Sequence, residues 1–342
     1  MAKWLKAAGV CGSLAGLYIG AGFISGAEVS NFFAKFGAAG FVGLVLSAGL
    51  FFVSVYKTLS ICRIKKISSY EDFGREVFGK LAVFAELGTA VFLLVLFATM
   101  LAAISAFCGE VFGVKGLYGA IIGAVICFSV FTRGSKGFLT LNTALLPVMI
   151  IGIIVICAAG FGFSIGAVSF ARPYWILSAA AYAAYNIAAV IPVVTTFEDL
   201  DEHTIKYSSL SASVILLVLG GLIAATLCAN PGITAQIPML YIAASHKFTY
   251  MFYIITLFLA VMTTAVGSGY AFIHWISNKI AVKNSNNRSV LLWYVQCAFV
   301  TLVALRLSLF GFSAFVSKVY PAFGLLGVLQ IVCIFRYNIK KD

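Results

Sequence analysis

Ser13-Leu-Ala-Gly-Leu-Tyr-Ile-Gly-Ala-Gly-Phe-Ile-Ser-Gly-Ala-Glu28 lies inside the first apolar segment of the chain, yet it holds Gly16, Gly20, Gly22 and Gly26 and ends on a carboxylate. In hydrocarbon no water satisfies an opened backbone group, so a glycine-dense interruption at membrane depth is tolerated only where it faces protein or a water-filled cavity. Gly16 and Gly20 also fit the small-xxx-small spacing of closely packed helices. Four glycines together with Glu28 point past packing, to a helix broken so that its half-helix ends become binding groups.

The rest of the composition supplies the setting. Of 342 residues, 62% are hydrophobic and only 10% charged, with a mean hydropathy of +1.07; so little charge cannot cover a soluble surface. Apolar stretches near the roughly 20 residues a helical span requires recur at 5–34, 38–61, 81–111, 116–131, 139–163, 173–197, 209–229, 248–278, 289–306 and 310–335. The expectation is an all-α integral membrane protein with ten transmembrane helices in a single domain over 1–342, its surroundings the lipid bilayer. Met1-Ala-Lys-Trp-Leu-Lys6 has the charge of a signal-peptide start, but the apolar run behind it is too long and contains Glu28, so it reads as retained.

The net charge of +12 could suggest nucleic acid. Its distribution argues otherwise, because most Lys and Arg fall in alternate loops and at alternate span ends, as the positive-inside rule requires. That pattern places both termini in the cytoplasm of an inner-membrane, multi-pass protein. The eight cysteines fall mostly within spans at no metal-ligand spacing, and His203, His246 and His274 form no cluster. Nothing resembles a nucleophile–base pair or a metal centre, so no enzyme activity and no cofactor are expected.

Span 6 offers a second interruption. It reads Tyr182-Ala-Ala-Tyr-Asn-Ile-Ala-Ala-Val-Ile-Pro192, in which Pro192 removes a backbone donor and Asn186 is flanked by Tyr182 and Tyr185. Breaks in spans 1 and 6 fit two five-span halves, about 5–163 and 171–336, in inverted orientation, the arrangement in which matching discontinuities mark a binding site. Pro147 and Gly152 predict a kink in span 5. Ser68 and Glu71 have capping-box spacing for a short interfacial helix. The segment 233–245 is too short to span and suits an outer lid.

The run Ile19-Gly-Ala-Gly-Phe-Ile-Ser-Gly-Ala-Glu28, followed by Phe32-Phe-Ala-Lys-Phe-Gly37, resembles the YkvI family of bacterial membrane proteins. That family sits with the amino acid-polyamine-organocation (APC) superfamily and its LeuT-like 5+5 inverted repeat. The resemblance implies that amides about Gly20, Ala21, Gly22 and Phe23 hold a substrate carboxylate; Tyr182, Tyr185 and Asn186, at the expected second break, are either its contacts on the other side or satisfied polar groups between helices. Ala260-x-x-Thr263-Thr264 resembles the span 8 motif that, with carbonyls of Gly16 and Ile19, would form a sodium site. Those symporters carry Asn where this chain has Phe23, which implies one ion rather than two, and span 5 has no Lys to replace it. A small hard cation wants several oxygen ligands, and a carboxylate suits a helix N-terminus.

Charges inside spans are costly and usually paired. Glu28 and Lys318 are therefore expected to form an outer gate between spans 1 and 10, with two unrelated interfacial charges as the alternative. Glu86, Glu110, Glu198 and Asp199 read as loop or interface charges. The implied function is secondary active transport, sodium-coupled symport of an amino acid or similar small zwitterion by alternating access. A ligand-sensing receptor subunit of the same superfamily, binding a small molecule without transporting it, is the alternative.

Overall fold

The computed structural model of the chain describes residues 2–132, 138–160, 174–195, 197, 200–231, 233, 235–280 and 286–338. Every regular element described is helical. The first span is divided into α1 (Ala2–Tyr18), α2 (Ala21–Ile24) and α3 (Ala27–Phe32). There follow α4 (Ala38–Lys65), α5 (Tyr70–Phe78), α6 (Ala82–Phe112), α7 (Gly116–Phe131), α8 (Phe138–Ala159) and α9 (Tyr174–Val194). The chain continues through α10 (Glu202–Ala229), α11 (Pro238–Ala243), α12 (Lys247–Ile280), α13 (Asn286–Ser308), α14 (Phe312–Ala314) and α15 (Tyr320–Arg336). Among the described residues seven helices are long and apolar enough to cross a membrane, and three shorter apolar helices accompany them, Ala7–Tyr18, Gly116–Phe131 and Pro147–Ala159.

The helices sort into two groups. Helices α1, α4, α9 and α10 pack on one another, while α6 gathers α7, α12 and α13, and α8 lies along α12; α15 packs chiefly on α9. Between apolar helices in lipid no water is released by contact, so close approach of small residues carries the association. Helix α9 shows this along its length. Ala179 meets Gly43 of α4, Ala181 meets Gly324 of α15, and Ala184 presents its backbone to Gly327. Two hydroxyls add cross-links: Ser47 of α4 donates to the Ala179 carbonyl at 2.9 Å, and Ser178 donates to the Phe32 carbonyl at 2.9 Å.

That packing corrects the reading of span 6. Helix α9 runs unbroken from Tyr174 to Val194, so of the two expected breaks only the one in span 1 is present. The alanine run is a strong helix former, and neighbouring backbones on two sides leave no room for a bend. Pro192 falls in the last turn, where a missing N–H costs one terminal bond rather than the middle of the helix. Asn186, expected to sit at an opening, donates to the Tyr182 carbonyl of its own helix at 3.0 Å.

Smaller expectations fared differently. Helix α8 contains Pro147 and continues through it. The short interfacial helix exists as α5, but its cap is Ser69, whose Oγ accepts from the Asp72 amide at 3.1 Å. The Ser68–Glu71 spacing is met one residue later, and Glu71 instead pairs with Arg75 at 2.6 Å. Before α15 the chain takes a π-helical turn, Phe315–Val319, which has no local sequence signal, and Pro321 stands at the start of the next helix. Arg133, Lys136, Arg172, Glu198 and Asp199 lie outside the described residues.

A Cβ at Gly327 would overlap the Ala184 carbonyl, so Gly327→Ala should lower thermal stability by about 1–3 kcal/mol. Gly9, with nothing within 4 Å of its Cβ position, should accept Ala without loss. Melting of the two purified variants in detergent checks the pair.

Candidate functional site

The break in span 1 begins where α1 stops. Ile19 makes the last regular bond, its N–H on the Ala15 carbonyl at 2.9 Å, and the next along the chain joins Ile24 N–H to the Gly20 carbonyl at 3.0 Å. Among the described residues, the carbonyls of Gly16, Leu17, Tyr18 and Ile19 and the amides of Gly20 to Phe23 take part in no backbone hydrogen bond of that ladder. Four acceptors and four donors are thus freed at one level of the protein.

The far lip of the break is closed with care. Ser25 Oγ donates to the Gly22 carbonyl at 2.9 Å and accepts from the Ala27 amide at 3.2 Å. Gly26 then turns with φ 77°, a left-handed conformation that favours glycine. Two other elements reach in: Tyr253 of α12 donates its hydroxyl to the Ile24 carbonyl at 3.0 Å, and the Met239 amide of α11 donates to the Ser25 carbonyl at 3.1 Å. The Met239 side chain lies 2.7 Å from the Cβ position of Gly26. The expected lid is therefore seated on the break, with α11 burying Pro238, Met239, Leu240, Ile242 and Ala243.

Exposure falls from one side of the break to the other. Gly16, Gly20, Thr263 and Thr264 stay partly accessible, whereas residues 21–29 are all buried. Thr264 of α12 stands beside Gly20, its Oγ1 3.5 Å from the Cβ position. Thr263 and Thr264 both donate to the Ala260 carbonyl, at 3.0 and 2.9 Å. That is helix back-bonding, and because each hydroxyl donates its proton backwards its lone pairs remain free to face a cation.

Glu28 occupies the centre. It is 6% exposed, and it folds back across the break so that a Cβ at Gly22 would overlap its carboxylate, with Cδ 2.6 Å away. Tyr182, Tyr185 and Tyr320 stand within electrostatic range of it. No Lys or Arg pairs with it among the described residues. The tyrosine rings are interlocked, Tyr182 with Tyr185 at 5.5 Å and Tyr185 with Tyr320 at 4.9 Å between centroids. The hydroxyls of Tyr18, Tyr182, Tyr185 and Tyr320 are all buried, that of Tyr185 beside the Glu28 carboxylate.

Sequence comparison gives two relatives of nearly full length. The uncharacterised membrane protein YkvI of Bacillus subtilis (strain 168) is 27% identical over 337 residues, covering 92% of this chain and 91% of that protein. The chain is a homologue of YkvI. The uncharacterised protein YyaD of the same strain is 22% identical over 348 residues, covering 98% of this chain and 96% of the relative. No protein-family model matches the chain. Among solved structures, a substrate-bound, outward-open Na+-coupled sialic acid symporter matches with a TM-score of 0.61 at 11% identity, covering 96% of this chain and 79% of that one. MhsT in complex with L-phenylalanine matches with a TM-score of 0.63 at 15% identity, covering 96% and 94%. These likenesses establish a fold of the LeuT type.

Against this geometry the sequence reading divides. Of the residues expected to form a sodium site, Gly20 and Thr264 meet, and Thr263 and Thr264 share the Ala260 carbonyl within α12. Tyr182, Tyr185, Gly22 and Glu28 come together beyond the break. Ala21 is buried in the break itself, and Phe23 turns its ring onto Gly220 of α10, where it packs in the core. The Glu28–Lys318 gate is not formed. Helix α3 does pack against the π-helical turn, but that turn buries Phe315 and Val316 and leaves Lys318 exposed, while Glu28 faces Gly22. Glu86 is an interface charge as read, bonded to Lys279 at 2.7 Å and to the Trp275 indole at 2.8 Å. Tyr320 and Tyr253 were missed, since a tyrosine before a proline or within a long apolar span carries no local mark of a site.

Gly26→Ala would meet both the left-handed φ and the Met239 side chain, so it should cost about 1–2 kcal/mol and loosen the seat of α11. Hydrogen exchange across 233–245 should quicken in that variant; unchanged protection of the Met239 amide would mean the lid does not rest on this glycine.

Proposed function

We propose that this protein is a secondary active transporter, a sodium-coupled symporter of an amino acid or similar small zwitterion. The observation that carries this reading is the break in span 1, which leaves the carbonyls of Gly16 to Ile19 out of the helix ladder with Thr264 of α12 beside Gly20. These are neutral oxygen donors in the number a small hard cation requires, at the C-terminal end of α1, where the helix dipole favours positive charge. Sodium would be held there by Gly16, Ile19, Ala260, Thr263 and Thr264. The Na+-coupled symporter among the structural neighbours supports the same ion.

The substrate would sit between Gly20 to Phe23 and the tyrosines of α9, with the ten apolar segments as spans of the plasma membrane and both termini in the cytoplasm. In that orientation α11 is an outer lid, closed in this conformer, and the partly exposed Gly16, Gly20 and Thr264 face the cytoplasmic side. Alternating access would then be a rocking of α1, α4, α9 and α10 against the group built on α6 and α12, since those are the two bodies the packing defines. Coupling requires that sodium bind the substrate-competent state better than the other.

Reconstituted into proteoliposomes, the protein should accumulate labelled amino acid only under an inward sodium gradient. Thr264→Val, which keeps shape and removes the hydroxyl, should raise the sodium concentration for half-maximal uptake at least tenfold. Specific binding without uptake under any gradient would overturn the transporter reading in favour of a membrane sensor.

A further inference from the structure

Glu28 conflicts with the simplest docking of a zwitterion. If a substrate carboxylate lay on the amides of Gly20 to Phe23, it would share the Gly22 face with the Glu28 carboxylate, which already lies against that glycine. Two like charges at that separation in a protein interior repel strongly. A buried carboxylate instead calls for a cation, and among the described residues no Lys or Arg supplies one. The histidines sit elsewhere in the sequence, on α10, α12 and the turn before it.

The walls around the carboxylate suit one kind of cation. Phe32 lies 5.5 Å from the rings of both Tyr182 and Tyr185, and Phe92 lies 6.1 Å from Tyr185 and 6.0 Å from Tyr320. Aromatic faces attract a cationic nitrogen. The buried hydroxyl oxygens of Tyr182, Tyr185 and Tyr320 offer acceptors for the several N–H donors of an ammonium. A metal ion is the other source of positive charge, but it prefers a full shell of oxygens, whereas the walls around Glu28 are largely aromatic rings. Phe32 also lines a cavity of about 230 Å³ with Asn31, Lys35, Ser178 and Ser317.

We infer that Glu28 is the counter-ion for the substrate's cationic nitrogen, so that the site selects an organic amine, and a carboxylate on the substrate is not what anchors it. This rests on the transporter reading for its substrate site, but binding alone tests it.

Purified full-length protein in detergent, with sodium chloride at fixed concentration, is screened by thermal shift against amino acids, their decarboxylated amines and their deaminated acids. At least one amine should raise the melting temperature by 2 °C or more while its matched deaminated acid does not. Glu28→Gln, an isosteric change, should weaken that amine at least tenfold; Glu28→Asp, which keeps the charge with shorter reach, should retain part of it. The inference is overturned if deaminated acids bind as well as amines, if no amine binds, or if Glu28→Gln leaves amine affinity intact. It is equally overturned if sodium alone gives a shift that depends on Glu28 while amines add nothing. Amine binding that needs Glu28 but never leads to sodium-driven uptake upholds the inference and removes only the transport reading.

Discussion

A peptide group opened inside a membrane has to find a partner in the protein, because the lipid offers none. The division of the first span at Ile19 and Gly20 opens eight such groups at once, and much of the surrounding structure is arranged about them. Ser25, Tyr253 and the Met239 amide satisfy the carbonyls beyond the break, each from a different element. Thr264 of α12 stands at its near end. Lining a break with groups that can serve either the chain or a guest is what distinguishes a site from a defect.

Small residues do two opposite things in this chain. In span 1 glycine releases the helix from its ladder. In α4 and α15 it does the reverse for the partner helix, letting Gly43, Gly324 and Gly327 bring backbone to within contact of the alanines of α9 and so holding that helix straight. Glycine content alone does not tell these apart. What separates them is whether the neighbour presents a backbone to be packed or a polar group to be met.

This explains what was legible in the sequence. Span positions and the first break could be read because hydropathy and the cluster of four glycines are local signals. The second break was read from Asn186 and Pro192, both of which have local outlets: an amide can bond its own helix, and a proline in a last turn disturbs little. The gate was read from two charges assigned to facing elements. The elements do face each other, but which way a side chain turns from a short helix or a π-helical turn depends on contacts that no single stretch contains. The tyrosines that surround Glu28 come from α9 and α15, more than a hundred residues apart in sequence, and only the fold brings them to one carboxylate.

The seat of α11 carries a thermodynamic consequence. Met239 and Tyr253 each supply a proton to a carbonyl that is otherwise bare, so neither can withdraw without leaving an acceptor that something else must solvate. Lifting α11 off the break would thus be an exchange in which incoming water replaces protein donors one for one. Hydration would in that sense be a ligand of any state with α11 lifted, and the solvent's activity would enter its balance with the seated one.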